Sequence, residues 1–351
     1  MHNGTLLLIG NYLPSPRHNK NVWHYLAERL TEAGWEVITT SSKLRQILRL
    51  VDMLGTILRE KNRYAVAQID VFSGKAFIWS ELCTCLLKHL NKPIILTLHG
   101  GGLPEFGLRY PKRIQRVLKA GKVVVTPSPF LQEALSQYRA DIRLIPNPID
   151  LSASIYRHRE QAEAKLIWVR SFHEIYNPSL AVRVIKKLVE EFPDIQLVMV
   201  GPDKGDGSLE HTLSLVEELG VKERIEIIGS IPHTLVPEWL DKGDIFINTT
   251  NYDNTPSSLM EAMANGLCLV STNVGGILWL VEDGKDALLV PPDDANAMAE
   301  AVRRVLTEPG LAGKLSEAGR RRAEGFDWSV ILPQWETLFE EVIEVERGQA
   351  G

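Results

Sequence analysis

Asn248-Thr249-Thr250-Asn251-Tyr252-Asp253-Asn254-Thr255-Pro256-Ser257-Ser258-Leu259-Met260-Glu261-Ala262-Met263-Ala264-Asn265-Gly266 reads as a strand end, a polar turn and a short helix. Thr255 suits the N-cap. Pro256 suits the first helical position, where its missing N–H costs nothing. Gly266 ends the helix, and residues 267–271 form the next strand. Such a helix start aims the free N–H groups of Ser257 and Ser258 at an anion, here a phosphate or diphosphate. Asp253 lies just before the helix and Glu261 inside it. Carboxylates accept hydrogen bonds from vicinal hydroxyls, so the pair suits a sugar nucleotide if a cation offsets their repulsion of phosphate. In the blander alternative Asp253 only complements the helix dipole and Glu261 is solvated.

Outward from this turn, short β-branched runs alternate with amphipathic helical patterns. Strands are expected near 5–10, 35–39, 64–70, 94–98, 122–126 and 142–145, and again near 165–170, 195–201, 224–229, 244–248, 267–271 and 286–290. Helical patterns fall near 19–33, 43–61, 73–91, 110–120 and 128–138. In the second half they fall near 178–191, 205–219, 234–241, 256–265, 275–282, 294–307 and 310–324. Strand–helix alternation implies parallel sheets with right-handed crossovers. The fold class is therefore α/β, with two doubly wound, Rossmann-like domains, 1–150 and 151–327. Pro146-Asn147-Pro148-Ile149-Asp150 marks the join, since its prolines suit neither helix nor strand. A last helix, 328–346, carries Trp328, Ile331, Trp335, Leu338, Phe339 and Val342 at helical spacing and must pack on something already built.

The length of 351 residues suits two domains. With 44% hydrophobic and 24% charged residues the chain is neither disordered nor disulfide-stapled. No apolar run reaches the roughly 20 residues that span a bilayer. Met1-His2-Asn3-Gly4-Thr5-Leu6 lacks the charged start of a signal peptide. Three unpatterned cysteines, Cys83, Cys85 and Cys268, suggest neither a disulfide framework nor a zinc site, so a cytoplasmic location is expected. The net charge of −5 is split unevenly. Residues 1–150 hold 20 Lys and Arg against 11 Asp and Glu, a balance of +9; the rest hold 19 against 33, a balance of −14.

The cation needed near Asp253 is supplied by Arg170, in Leu166-Ile167-Trp168-Val169-Arg170, at the carboxyl end of a strand. Arginine grips phosphate with two donors; a surface salt bridge is the alternative. With these residues placed, the second half resembles the donor domain of family 4 glycosyltransferases, a retaining, metal-independent group with the GT-B fold. The likeness runs through Val198-Met199-Val200-Gly201-Pro202-Asp203, Ile228-Gly229-Ser230 and Asp244-Ile245-Phe246-Ile247-Asn248. It continues through Glu261-Ala262-Met263-Ala264-Asn265-Gly266, Val274-Gly275-Gly276-Ile277, Asp283-Gly284, Leu289-Val290-Pro291-Pro292-Asp293-Asp294 and Phe326-Asp327-Trp328. The family signature is two acidic residues with seven between them, as in Asp253 and Glu261; the first is usually Glu.

The resemblance implies that Asp253 contacts the donor sugar and Glu261 the nucleotide ribose. The diphosphate is then held by Arg170 and by Asn254, Thr255, Pro256, Ser257 and Ser258, with Gly201 beside them. The family usually has a Lys six residues after the Arg; here Tyr176 stands there, and Lys204 is the nearest substitute. On the first half, His99 matches the family's His on the acceptor side, and Ile145-Pro146-Asn147-Pro148-Ile149-Asp150 resembles its interdomain element. The usual glycine-rich first loop is replaced by Gly10-Asn11-Tyr12-Leu13-Pro14-Ser15-Pro16, which puts Asn11 and Tyr12 on the acceptor side with Gly100 and Gly101. Glycines 100–102 are read as letting backbone approach the sugar, or as the hinge of a loop carrying Leu103-Pro104-Glu105-Phe106. His99-Gly100-Gly101-Gly102 also occurs as an esterase oxyanion hole, but no Gly-x-Ser-x-Gly elbow accompanies it. No Walker A ending is present.

The implied activity is transfer of a sugar, with retention, from a nucleotide-diphosphate sugar, commonly UDP-linked, to a glycan or lipid-linked acceptor in surface polysaccharide assembly. No metal and no cofactor are called for. Two basic helices, 44–61 and 112–119, suit an anionic membrane surface on the inner face or are ordinary solvated faces. Nucleic acid is not expected, since no recognised module accompanies the charge. Two other classes stay open: a non-catalytic sugar-nucleotide-binding partner subunit, which Tyr176 favours, and a GT-B sugar-nucleotide epimerase.

Overall fold

The computed structural model describes residues 4–13 and 22–350, and the chain divides into two compact units. Pro14, Ser15 and Pro16 of the first loop, Met1, His2 and Asn3, and the start of the helix expected from residue 19 lie outside the described residues. Unit 1 is Met1–Pro148 with Ser329–Gly351; unit 2 is Ile149–Trp328.

Unit 1 runs β1 (Thr5–Ile9), α1 (Val22–Glu32), β2 (Glu36–Thr40), α2 (Gln46–Arg59), β3 (Tyr64–Val71), α3 (Phe77–His89), β4 (Ile94–Leu98), α4 (Leu103–Arg109), α5 (Pro111–Ala120), β5 (Val123–Thr126), α6 (Pro129–Leu135) and β6 (Arg143–Leu144). The strands form one parallel sheet in the order β2-β1-β3-β4-β5-β6. Every residue of β1 and β4 is buried, as strands covered by helices on both faces must be.

Unit 2 runs β7 (Lys165–Val169), α7 (Pro178–Leu188), β8 (Gln196–Val200), α8 (Ser208–Glu218), β9 (Ile225–Gly229), α9 (Val236–Asp241), β10 (Ile245–Asn248), α10 (Ser257–Ala264), β11 (Cys268–Thr272), α11 (Ile277–Leu280), β12 (Leu288–Val290), α12 (Ala295–Thr307) and α13 (Leu311–Glu324). Its parallel sheet has the order β12-β11-β10-β7-β8-β9. The final helix, α14 (Trp328–Ala350), extends past the expected residue 346. In unit 1 it buries Ile331, Trp335, Leu338 and Phe339, and Trp35 donates to Glu336 Oε1 at 3.1 Å.

Two expectations are corrected. Residues 103–106 are not a hinged loop but the first turn of α4, capped by Gly102. Two of the glycines before it pack against Ser73: a Cβ on Gly100 would come 2.8 Å from Ser73 N, and one on Gly102 2.9 Å from Ser73 Oγ. The polar segment after the join, 152–165, is tied down by its arginines. Arg159 within it is fully buried and donates to the carbonyls of Arg157 and Gly243, and Arg157 pairs with Asp241 and Asp244. The helix before Gly266 starts one residue later than expected, at Ser257. Pro256 is its cap residue, with ψ 111° outside the helical range, and Thr255 makes no cap bond.

Candidate functional site

In unit 2 the chain lays down β7, β8 and β9 to one side and then returns to place β10 against the other edge of β7. Strand order reverses between β7 and β10, and ligands of open α/β sheets bind outside the carboxyl ends at such a point. Arg170 follows β7, and the 249–256 turn follows β10. Hydrogen bonds tie the two loops together: Thr249 Oγ1 donates to Tyr176 O at 2.7 Å and Asn251 N to Ile175 O at 2.7 Å.

Arg170 and Asp253 form an ion pair at the reversal, both side chains largely buried. The guanidinium also lies over the Tyr176 ring, 4.4 Å from its centroid. Burial pushes the Arg170 pKa down, while Tyr176 and Glu261 act in the opposite sense. Tyr176 therefore puts a π face on the one arginine where a second cation was expected. Lys204 is exposed on the loop after β8.

Glu261, on α10, is not simply solvated. Its Oε1 is 2.9 Å from Nε2 of His233, and this hydrogen bond raises the His233 pKa against the opposing effect of burial. His233 was missed in the sequence because it lies 28 positions from Glu261 and only folding joins them. Asn254 donates its N–H to Asp253 Oδ1 at 2.8 Å. The buried atoms Arg170 Nε, Asn254 Oδ1 and Ser258 Oγ find no hydrogen-bond partner among the described residues. Buried polar atoms are rarely left so, and these three gather around an uncapped helix start. Ser257 is exposed there, while Thr255 is half-buried and Pro256 buried.

Two glycines shape this site by letting backbones touch. Gly201 has φ +154°, and a Cβ on it would overlap the carbonyl of Arg170. Gly275, at φ +53°, would likewise collide with the Asp253 carbonyl, and its neighbour Gly276 donates to that carbonyl at 3.0 Å. Gly201 thus lets the turn after β8 come up against the Arg170 backbone.

In unit 1 the strand order reverses between β1 and β3. Asn11 and Tyr12 follow β1, and His99 follows β4. His99 is packed between Trp23 and Phe72, with ring centroids 4.2 and 5.5 Å away, and its Nε2 is 3.4 Å from Asp70 Oδ1. Gln68 donates to the same Asp70 oxygen at 2.8 Å. The Tyr12 hydroxyl is buried without a hydrogen-bond partner among the described residues, and burial, with Asp70 adding to it, raises its pKa well above the usual value. Asn11 Oδ1 accepts from Arg49 at 2.8 Å. Arg49 therefore turns inward from the basic helix that was expected to display it. Asp70 and Arg49 were missed as partners of His99 and Asn11. Beside this cluster, Ser73, Lys75, Ile78, Phe106, Arg109 and Tyr110 line an open groove.

The family described as "Glycosyl transferases group 1" matches residues 157–322, and "Glycosyltransferase Family 4" matches residues 38–153. The two matches together take in well over half of the chain. The chain belongs to the family 4 glycosyltransferases. An exopolysaccharide phosphotransferase of Streptomyces coelicolor is 27% identical over 61% of this glycosyltransferase chain. The chain spans only 22% of that relative's length. A D-inositol 3-phosphate glycosyltransferase of Acidothermus cellulolyticus is 23% identical over 80% of the chain and 69% of its own. Among solved structures, a sucrose-phosphate synthase from Thermosynechococcus elongatus has a TM-score of 0.78 at 19% identity, covering 98% of this chain and 100% of that one. Anabaena HepE in complex with UDP-glucose has a TM-score of 0.74 at 15% identity, covering 96% and 100%. At these identities the likeness shows the fold, GT-B, the class expected from the sequence. No described helix is long and apolar enough to cross a membrane.

Proposed function

We propose that unit 2 binds a nucleotide-diphosphate sugar, UDP-linked, and that unit 1 presents a glycan or lipid-linked acceptor for transfer with retention at the anomeric carbon. The observation that carries this reading is the pairing of Arg170 with Asp253 at the strand-order reversal, beside the uncapped start of α10. Arg170 and the Ser257 and Ser258 N–H groups take the diphosphate, Asp253 the sugar hydroxyls and Glu261 the ribose. In the reaction the bond from the anomeric carbon to the phosphate oxygen breaks, and the acceptor oxygen bonds to that carbon on the same face. The departing diphosphate oxygen takes the acceptor proton, so no separate general base is needed. The protein's share is positioning and charge stabilisation.

The complex of HepE with UDP-glucose supports a UDP-sugar donor, and the likeness to the Streptomyces exopolysaccharide phosphotransferase supports surface polysaccharide assembly. Lys75 and Arg109, which join no ion pair among the described residues, sit in the unit 1 groove with Phe106 and Tyr110. They favour an acceptor that carries an anionic group. The basic balance of residues 1–150 supports a further partner, an anionic membrane surface. The test is incubation with α-linked UDP-sugars and an acceptor panel, with product read by mass and anomeric NMR. An α-linked product that disappears in Arg170→Ala is expected. A β-linked product would overturn retention, and undiminished turnover in Arg170→Ala would overturn the placement of the diphosphate.

A further inference from the structure

The helix α2 buries one face and carries an apolar arc on the opposite one. Met53, Thr56 and Ile57 are buried under it. On the far side Leu44, just before the helix, is 65% exposed, Ile47 79%, Leu48 51%, Val51 61% and Leu58 49%. At about 100° per residue these five and Gly55 fall in one arc, which no polar side chain interrupts. Gly55 is itself exposed, and nothing lies within 4 Å of where its Cβ would be. On α3, which packs beside α2, Ile78 and Leu82 are also exposed. Single exposed apolar residues are ordinary, but a continuous outward stripe marks an interaction surface.

The residues flanking the stripe decide what it fits. Lys43, Arg45, Arg59 and Lys61 are exposed at its two ends. Lys43, Arg45 and Lys61 join no ion pair among the described residues. Asp52, the acidic residue of α2, accepts a hydrogen bond from Ser41 at 2.6 Å. A second copy docked across a two-fold axis would set this basic ring against itself. A bilayer with anionic headgroups neutralises the ring and takes up the apolar arc.

We propose that the outward arc of α2, Leu44, Ile47, Leu48, Val51 and Leu58, is the surface by which this protein lies on an anionic membrane. The inference rests on the membrane reading of the basic half, and not on the transfer reaction; no donor or acceptor is needed to measure it. The full chain is sedimented with phosphatidylcholine vesicles with and without phosphatidylglycerol. Binding to the anionic vesicles alone is expected. The double variant Ile47→Ser, Val51→Ser should bind at least tenfold more weakly with unchanged circular dichroism and thermal midpoint, while Leu278→Ser on unit 2 should bind as the parent does. Val51→Trp should show a blue-shifted emission on adding anionic vesicles. Anionic binding that the double variant leaves intact would overturn the assignment to α2 and keep the membrane reading. Absence of binding to either vesicle would overturn both. A dimer in light scattering that the double variant abolishes, without lipid binding, would give the arc to a second copy instead.

Discussion

The guanidinium of Arg170 stands 4.4 Å from the centroid of the Tyr176 ring and pairs with Asp253 on another of its sides. Removing an arginine from water is costly unless its charge is met. Here one carboxylate and one aromatic face meet it, which leaves the guanidinium held at the carboxyl end of β7. A cation over a desolvated ring contributes about 0.5–2 kcal/mol.

The ring face of Tyr176 is turned to Arg170. Tyr176→Phe should keep nucleotide-sugar affinity essentially unchanged, whereas Tyr176→Ala should weaken it about two- to thirtyfold, the same interaction expressed as an affinity. Isothermal titration with UDP-sugars checks both. Equal losses in the two variants would point to the hydroxyl.

His233 and Glu261 make stability depend on pH with a definite sign. The folded-state pKa of His233 is raised, so its contribution is fully present below the unfolded value of about 6.5 and is lost as pH rises through the folded value. His233→Ala should cost more near pH 5.5 than near pH 9, by no more than about 1 kcal/mol, because the imidazole is partly exposed and the pair is screened. Urea denaturation at the two values reads the difference. A larger cost at the alkaline end would reverse the assignment.

Gly201→Ala tests the contact between the β8 turn and Arg170. The φ of +154° and the overlap with the Arg170 carbonyl both oppose a side chain. Backbone strain of this kind costs on the order of 1–3 kcal/mol. The variant should melt lower, and any protein that folds should bind UDP-sugar more weakly because Arg170 has moved. Gly284→Ala, also at positive φ but with open space where its Cβ would be, should melt lower with its binding unchanged.

Thiol chemistry separates the three cysteines. Cys83 and Cys268 are buried, and burial pushes each pKa up to about 12; Cys85 is exposed. The thiolate is the reactive form. Near neutral pH an aromatic disulfide reagent should label Cys85 fast and the other two only on unfolding. Rapid release of three equivalents from the native protein would contradict the packing of β11 and α3.

The sheets were legible because both are parallel and covered on both faces, so their strands stand out as short apolar runs between helical patterns. Strand 94–98 in the sequence is β4 as observed. Helix α4 was not legible, because Gly102 and Pro104 close together suggest a loop, and its burial of Leu103 and Phe106 is a tertiary fact. The helix 44–61 was read as a basic amphipathic helix, without deciding which of its residues face inward. In the structure Leu48 faces out and Arg49 faces in, because Arg49 finds Asn11 and the carbonyls of Lys43 and Leu44.

The sequence alone determined the two α/β units, the strand-end position of Arg170, and the spacing of Asp253 and Glu261, because each follows from local periodicity or from residues close in the chain. Tertiary structure decided the partnerships: Arg170 with Asp253, His233 with Glu261, and His99 with Asp70. Each joins residues from different strands or the segments that follow them, and their meeting depends on strand order in the sheet, which no local pattern encodes. The burial that shifts Arg170 and Tyr12, and the hydrogen bond with Glu261 that raises His233, arise only once those segments close around them.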